Sequence, residues 1–562
     1  MKRSLPLLLL SLVATPVAAR QVDIYDSGGP ISPEQASFDV TFYDLAITVD
    51  PETRTIEGTG TTVARIVNPT ATIVLDLDTL LTVSEVVSVQ EGNARALTWN
   101  RQAGKLRIDL GRTAGAGETV TVRVAYGGAP RVAPYPPWDG GFVWRTTQSG
   151  DPWIATANQG EGPDVWWPAK DHVSDKPDSM AIHVTVPEPL VVATNGRLRN
   201  VVDNGNGART YNWFVSTPIS AYNVALNIAP YVVLEAEHQS VTGERFPVVF
   251  YVLPEDEARG RELLPEILEH LAFFEEYFGP YPFRADKYGV AQTPHLGMEH
   301  QTIIAYGANF NPGAMTGGRN WGFDALHHHE LAHEWFGNVM TNADWKDMWL
   351  HEGFGTYTQA LYAERLGGEE LYRAYMADQR RGMANRYPVA PRESRTSGQI
   401  YFDAGGDIYG KGAWVLHTLR YLIGDNALLL AMRRLVYPDA ALERVTNGSH
   451  VHFATTDDFQ RIAEEISGRD LGWFFEVYVR QPELPRLVAE RNGTTLRIGW
   501  EVPGGLPFPM PVEVFIDGDI RKAEVPAGGF ATMEVPENAA VAVDPNDWIL
   551  KASTSSNLVP SS

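Results

Sequence analysis

The hydrophobic period of this chain changes twice, and those changes constrain the fold more than anything else in the sequence. From about Phe38 to Val241, stretches such as FDVTFYDLAITVD, TVTVRVAYG and MAIHVTVPEPLVVATNG alternate apolar and polar residues and stop at Gly, Pro, Asn or Asp. A period of two puts successive side chains on opposite faces, as strands of a half-buried sheet require. Near Arg259 the spacing becomes helical, in ARGRELLPEILEHLAFFEEYFG, and helices dominate to about Val479. Strand text then returns in PELPRLVAERNGTTLRIGWEV, PVEVFIDGD and AAVAVDP. The expected architecture is multi-domain α+β. A β domain spans 20–241, a mainly α domain 242–481 and a small β-sandwich-like domain 482–551, with an unstructured tail at 552–562.

The first residues, MKRSLPLLLLSLVATPVAAR, join a basic start (Lys2, Arg3) to an apolar stretch and small residues at Val17 and Ala19. This is the pattern of a secretory signal over 1–19, cleaved after Ala19, so the expected destination is the periplasm or the medium. No later apolar run is long enough to span a bilayer. With 562 residues, 44% apolar, the chain is long enough for several domains around a large core. Its formal charge of −23 argues against nucleic acid or an anionic membrane as the main partner. It has no cysteine, so any metal site must use His, Asp or Glu.

Within HHHELAHEWFGN, residues 327–338, helical geometry separates four histidines that composition treats alike. Ligands on one helix face pair at i, i+4. His327 would pair with Leu331 and His328 with Ala332, neither of which binds metal. Only His329 and His333 form a pair, with Glu330 between them in a His-Glu-x-x-His pattern. The run from Phe323 to Met340 contains no proline, which allows a helix throughout. A catalytic zinc takes three protein ligands, and His₂Glu is one known set. Glu352 begins a second helix-like run with eighteen residues between it and His333, a gap that fits a turn and a return. These residues predict one Zn²⁺ per chain on His329, His333 and Glu352, with Glu330 placed to move protons. His327 and His328 are expected on the helix surface or behind the ligands.

HELAHEWFGN followed by WLHEGF at this separation resembles the aminopeptidase N family of zinc metallopeptidases, a likeness running from the β domain through the helical domain to FFEVYVRQPELPRL. The resemblance implies a saddle-like N-terminal β domain, a thermolysin-like catalytic domain, and removal of single residues from peptides with a free N-terminus. HLGMEH resembles the family's Gly-x-Met-Glu-Asn motif, which implies that Gly297 and Met298 line the substrate and that Glu299 binds its α-ammonium. Here Leu296 and His300 depart from the motif's first glycine and final asparagine. IYGKGAWVL resembles the Tyr-x-Lys-Gly element and implies that Tyr409 stabilises the oxyanion. ANQGEGPDVWWPAKDH resembles the β-domain segment that reaches the site, which puts Gln159 beside the substrate amine, with Glu161 a further candidate. Asp347 and Asn338 are candidates for supporting the ligands. Relatives often cover the site with a large helical domain. About 70 residues and a tail follow Pro482, which leads to the expectation of a more open cleft.

Two other functions fit the same sequence: a thermolysin-like endopeptidase using the same triad, and a non-catalytic peptide-binding scaffold. Cleavage of N-acetylated peptides distinguishes the first. Oligomeric partners are not legible.

Overall fold

The computed structural model describes residues 24–552 and 554–558, so the expected leader at 1–19 lies outside them. Phe38–Asp50 and Thr55–Ile66 form a long hairpin in which Leu45, Ile47 and Val49 point into a core, as their alternation requires. The hairpin is central to an eight-stranded sheet, where Phe38–Asp50 also pairs in parallel with Ser179–Pro187. A four-stranded sheet contains Gly141–Thr146 and Pro152–Ala157. The second of these strands ends two residues before Gln159 and delivers it to the domain boundary.

The middle of the chain opens with a five-stranded sheet holding Val232–Gln239 at one edge and Gly297–Met298 at the other. Arg245–Val252, next to the first edge strand, is buried on both faces, so its text reads as nearly continuous apolar residues. Val248, Phe250 and Val252 enter the helical core, while Val249, Tyr251 and Leu253 enter the core of the β domain. Helix α1 (Glu257–Phe278) covers the helical side. The site is then built by α2 (Ala325–Ala332), α3 (Trp349–Gln379), α4 (Ser397–Asp403) and α5 (Gly410–Ile423). No helix among the described residues is long and apolar enough to cross a membrane.

The first domain boundary differs from the expectation. Val232–Gln239 pairs with Arg245–Val252 through a turn at 240–244, so a division at 241/242 would cut a hairpin. A period of two identifies a strand but not its partner, and this strand belongs to the second sheet. The helix expected from Phe323 to Met340 ends at His333, after which Asn338, Val339 and Met340 donate to carbonyls five residues back. Beyond Pro482 lie a four-stranded and a three-stranded sheet whose apolar faces merge with the helical core. Phe508 packs edge-on against Tyr478, and Trp548 stacks on His417 of α5 at 4.8 Å. The tail is not wholly irregular: Ser555–Asn557 adds a strand parallel to Arg486–Asn492.

Candidate active site and metal centre

Helix α2 starts at Asp324, whose carboxylate accepts from His327 N at 3.0 Å, an N-cap that fixes the phase of the ligand helix. His329 lies inside α2, and His333 keeps helical dihedrals at its end. Glu352 occupies the first turn of α3, where the helix dipole favours a carboxylate. The three side chains converge as the spacing predicts. His329 Nε2 stands 3.1 Å from Glu352 Oε2 and 3.2 Å from His333 Nε2, and the third side of the triangle is 3.5 Å. Two ligands about 2.05 Å from a tetrahedral zinc lie roughly 3.3 Å apart, so these atoms already have the spacing of three corners. They form the group that could hold a metal ion among the described residues. His333 Nδ1 donates to Phe336 O at 3.0 Å, which leaves its Nε2 lone pair for a metal. All three residues are buried.

Electrostatics fit a cation. Burial opposes ionisation of Glu352, yet the two imidazoles bonded to it hold its carboxyl far below the ordinary range. Burial would also lower His333, but Glu352, with Glu299 and Glu330 nearby, carries it up to about 10. A divalent ion replaces that imidazolium proton and is paired with the same carboxylates. Burial pushes Glu330 well above its usual range; His333 opposes this, while Glu299 and Glu352 add to it.

Glycines set the spacing between these parts. A Cβ on Gly297 would lie 2.4 Å from Glu330 Oε1, so the strand Gly297–Met298 passes directly against that carboxylate. A Cβ on Gly355 would lie 3.0 Å from His329 Cε1 and 3.5 Å from His333 Cε1. Gly353 and Gly412 meet where α3 crosses α5, and a Cβ on Gly412 would lie 2.8 Å from Gly353 Cα. That close crossing brings Tyr409, at the head of α5, against the triad. Its ring stacks on His329 with centroids 5.9 Å apart and planes at 24°.

The Glu299 end of the site joins the two domains. Glu299 Oε1 accepts from Gln159 Nε2 at 2.7 Å and from Tyr222 OH at 3.1 Å, both supplied by the β domain. Asn338 Nδ2 donates to Glu299 O at 2.8 Å, and its own Oδ1 accepts from Asn223 at 2.5 Å. Asn338 therefore holds the backbone of Glu299 in place. Asp347 touches no ligand; it accepts from Thr456 Oγ1 at 2.6 Å at the start of another helix. Glu161 lies outside the Glu299 cluster, with its carboxylate on Gly140 N. Gly297, Met298, Glu299, Gln159, Glu330 and Tyr409 line one cavity with the triad, a space of about 60 Å³ that also touches Leu296, Met315 and Trp138. His300, at the motif's altered last position, is fully buried away from that cavity.

His327 and His328 are not on a surface; both are fully buried. His327 Nε2 meets Tyr288 OH at 2.7 Å, and its Nδ1 meets His270 Nδ1 at 2.8 Å. His328 sits among Phe273, Phe274, Phe323 and Tyr362. A helix packed on every side gives its polar residues no solvent face, which spacing alone does not disclose. Sequence reasoning also misses Tyr401, whose hydroxyl stands 3.0 Å from Gln159 Oε1 and 2.9 Å from Glu352 Oε1. It links Gln159, the partner of Glu299, to the metal triad, and no motif marks it.

Comparisons with known proteins agree with this construction. Residues 40–223 match the peptidase M1 N-terminal domain, and residues 264–478 match the peptidase family M1 domain. The crystal structure of an M1 zinc metallopeptidase from Deinococcus radiodurans superposes with a TM-score of 0.65 at 26% identity, covering 82% of this chain and 98% of that one. A mutant of it, bound to a Tyr-Ser-Ala substrate, superposes equally well at 25% identity. Aminopeptidase N from Haemonchus contortus is 26% identical over 387 residues, which are 63% of this chain and 37% of that protein. The chain thus spans about a third of the length of the first curated relatives it matches. The described fold and both matched segments place the chain in peptidase family M1, a family of zinc metallopeptidases.

Proposed function

We propose that the protein is a zinc aminopeptidase that removes the first residue from peptides with a free N-terminus. One observation carries this reading: a buried carboxylate, Glu299, closes the cavity beside the triad and is held by Gln159 from the other domain. An α-ammonium pairs with that charge, whereas an acetylated or internal residue leaves it unpaired in a closed site. The Deinococcus relative's complex with Tyr-Ser-Ala supports peptide as the substrate class.

His329, His333 and Glu352 would hold zinc, which supplies Lewis-acid polarisation of a carbonyl and acidification of water. The chain's own groups do the rest. Glu299 and Gln159 fix the ammonium, so the first peptide bond lies beside Glu330. The Glu330 carboxylate takes a proton from the attacking water and returns it to the leaving nitrogen. Tyr409 donates its O–H to the developing oxyanion.

Glu330→Gln is expected to lower kcat by about 10²- to 10⁴-fold, the range for a general acid–base group, while the protein still binds one zinc. Near-normal cleavage of aminoacyl amides by this variant would refute the mechanism. Efficient internal cleavage of N-acetylated peptides by the wild type would favour an endopeptidase instead.

The leader-like residues 1–19 support export to the periplasm or medium. A secreted product beginning at Arg20, read by N-terminal sequencing, is the expected outcome.

A further inference from the structure

The catalytic cavity, about 60 Å³, is too small to take a long side chain as well as the reacting backbone. The first residue's side chain must therefore leave it. A second cavity of about 220 Å³ opens off the amine anchor and shares Trp138 and Gln159 with the catalytic one. It has more than three times the room of the catalytic cavity. Tyr401, the residue bridging Gln159 and Glu352, lines it. A third cavity, reached past Tyr409 and Met315 rather than past Gln159, suits the remainder of a peptide.

The chemistry of the 220 Å³ cavity is one-sided. Among the described residues, Asp26, Asp139 and Glu161 line it, and no lysine or arginine does. Glu161 is fixed by its bond to Gly140 N, and Asp26 accepts from Thr396 Oγ1 at 3.4 Å. The nearby Arg131 is committed elsewhere, with its Nε on Asp78 at 2.7 Å and its guanidinium over the Tyr25 ring at 4.3 Å. Two aromatic side chains complete the walls, Trp138 at 60% exposure and Phe402 at 55%. Large aromatics left this open beside carboxylates suit a planar cation, which stacks on the rings and pairs with the acids.

We propose that this side cavity receives the first side chain of the substrate and selects arginine and lysine there. This rests on the aminopeptidase reading, because Glu299 and Gln159 must first place the residue. Asp139 and Glu161 pair with the cationic head, and Trp138 and Phe402 flank the stem. Glu161 supports the reading: burial carries its pKa up to about 7, with Gly140 N–H and Arg131 opposing and Asp139 and Asp26 adding to the rise. A bound guanidinium satisfies that carboxylate.

The test compares kcat/KM for arginyl-, lysyl-, norleucyl- and glutamyl-coumarin amides in the wild type and in the Glu161→Gln/Asp139→Asn double variant. The expected wild-type ratio of arginyl to norleucyl is about tenfold, in line with a solvent-exposed cation–π contact plus an ion pair. The double variant should lose about tenfold on arginyl and lysyl substrates and little on norleucyl. A wild type preferring norleucyl, or an equal loss on all substrates, overturns the proposal. Calorimetry of arginine amide against norleucine amide, on zinc-loaded Glu330→Gln, reads the cavity without turnover and should show the same order in Kd. If no aminoacyl amide is cleaved, the aminopeptidase reading fails. Stronger binding of norleucine amide in calorimetry overturns the side-cavity proposal by itself.

Discussion

Tyr401 shows how one hydroxyl connects two tasks. Its oxygen lies within hydrogen-bonding distance of Gln159 Oε1 and Glu352 Oε1, so it steadies Glu352 of the triad and the proposed amine contact Gln159 together. Tyr401→Phe should weaken zinc binding about tenfold, the low end for losing a group that supports a ligand. KM for free-amine substrates should rise as Gln159 is released, whereas kcat at saturating zinc should change less. Zinc competition against a chelator, together with a KM-against-kcat split, checks both, and unchanged zinc affinity would remove Tyr401 from this role. The triad and Glu330 are legible in the sequence because helical spacing is a local rule that four histidines either satisfy or fail. Glu299, Gln159 and Tyr409 are found through their family-like motifs. Tyr401 and Tyr222 come together from distant segments with no fixed spacing, so the folded chain alone reveals them.

At the scale of elements, helix crossings decide how closely the parts approach. Gly355 lies on α3 against both ligand imidazoles, at a distance where a methyl group fits only if His329 gives by a few tenths of an ångström. Helix propensity alone would favour Gly355→Ala by up to about 1 kcal/mol. The expected result is a split: equal or higher thermal stability without metal, and zinc affinity lowered about tenfold or more. Equal zinc affinity in the two proteins would show that the crossing has slack. Periodicity locates the helices and strands well because it reflects which face is buried. It misses where α2 stops, because after His333 the backbone turns through wider loops set by tertiary partners. It also misplaces Val232–Gln239, whose alternation suits either sheet.

Across the whole molecule, the β domain and the helical domain are tied by buried polar contacts. Lys287 Nζ donates to Thr194 O at 2.9 Å, Gly196 O at 2.7 Å and Thr302 O at 2.9 Å. Asn195 Nδ2 reaches Asn223 O at 2.9 Å and Gln301 O at 2.7 Å beside them. Lys287→Met leaves three carbonyls without that donor and is expected to cost about 3 kcal/mol, seen as a lower Tm. Zinc content should be unchanged, because no ligand is touched. Since one sheet supplies both cores, heating should produce one transition in the wild type; two well-separated transitions would show that the halves melt independently. The region after Pro482 reads as a separate small domain because its strands are regular. Its burial against α5 is invisible in a pattern that reports faces and not neighbours.

The bond from Gln159 to Glu299 across the domain boundary has a consequence for how such a protein treats a mixture of peptides. Under the proposed aminopeptidase function, a carboxylate anchored at a set distance from the triad measures length from the chain's end, so every productive encounter advances the substrate by one unit. Under the side-cavity proposal, the identity of that unit enters through that cavity, which grades how fast each step goes. A peptide would then be shortened stepwise, pausing wherever its new first residue fits poorly, and the pattern of pauses would record its sequence.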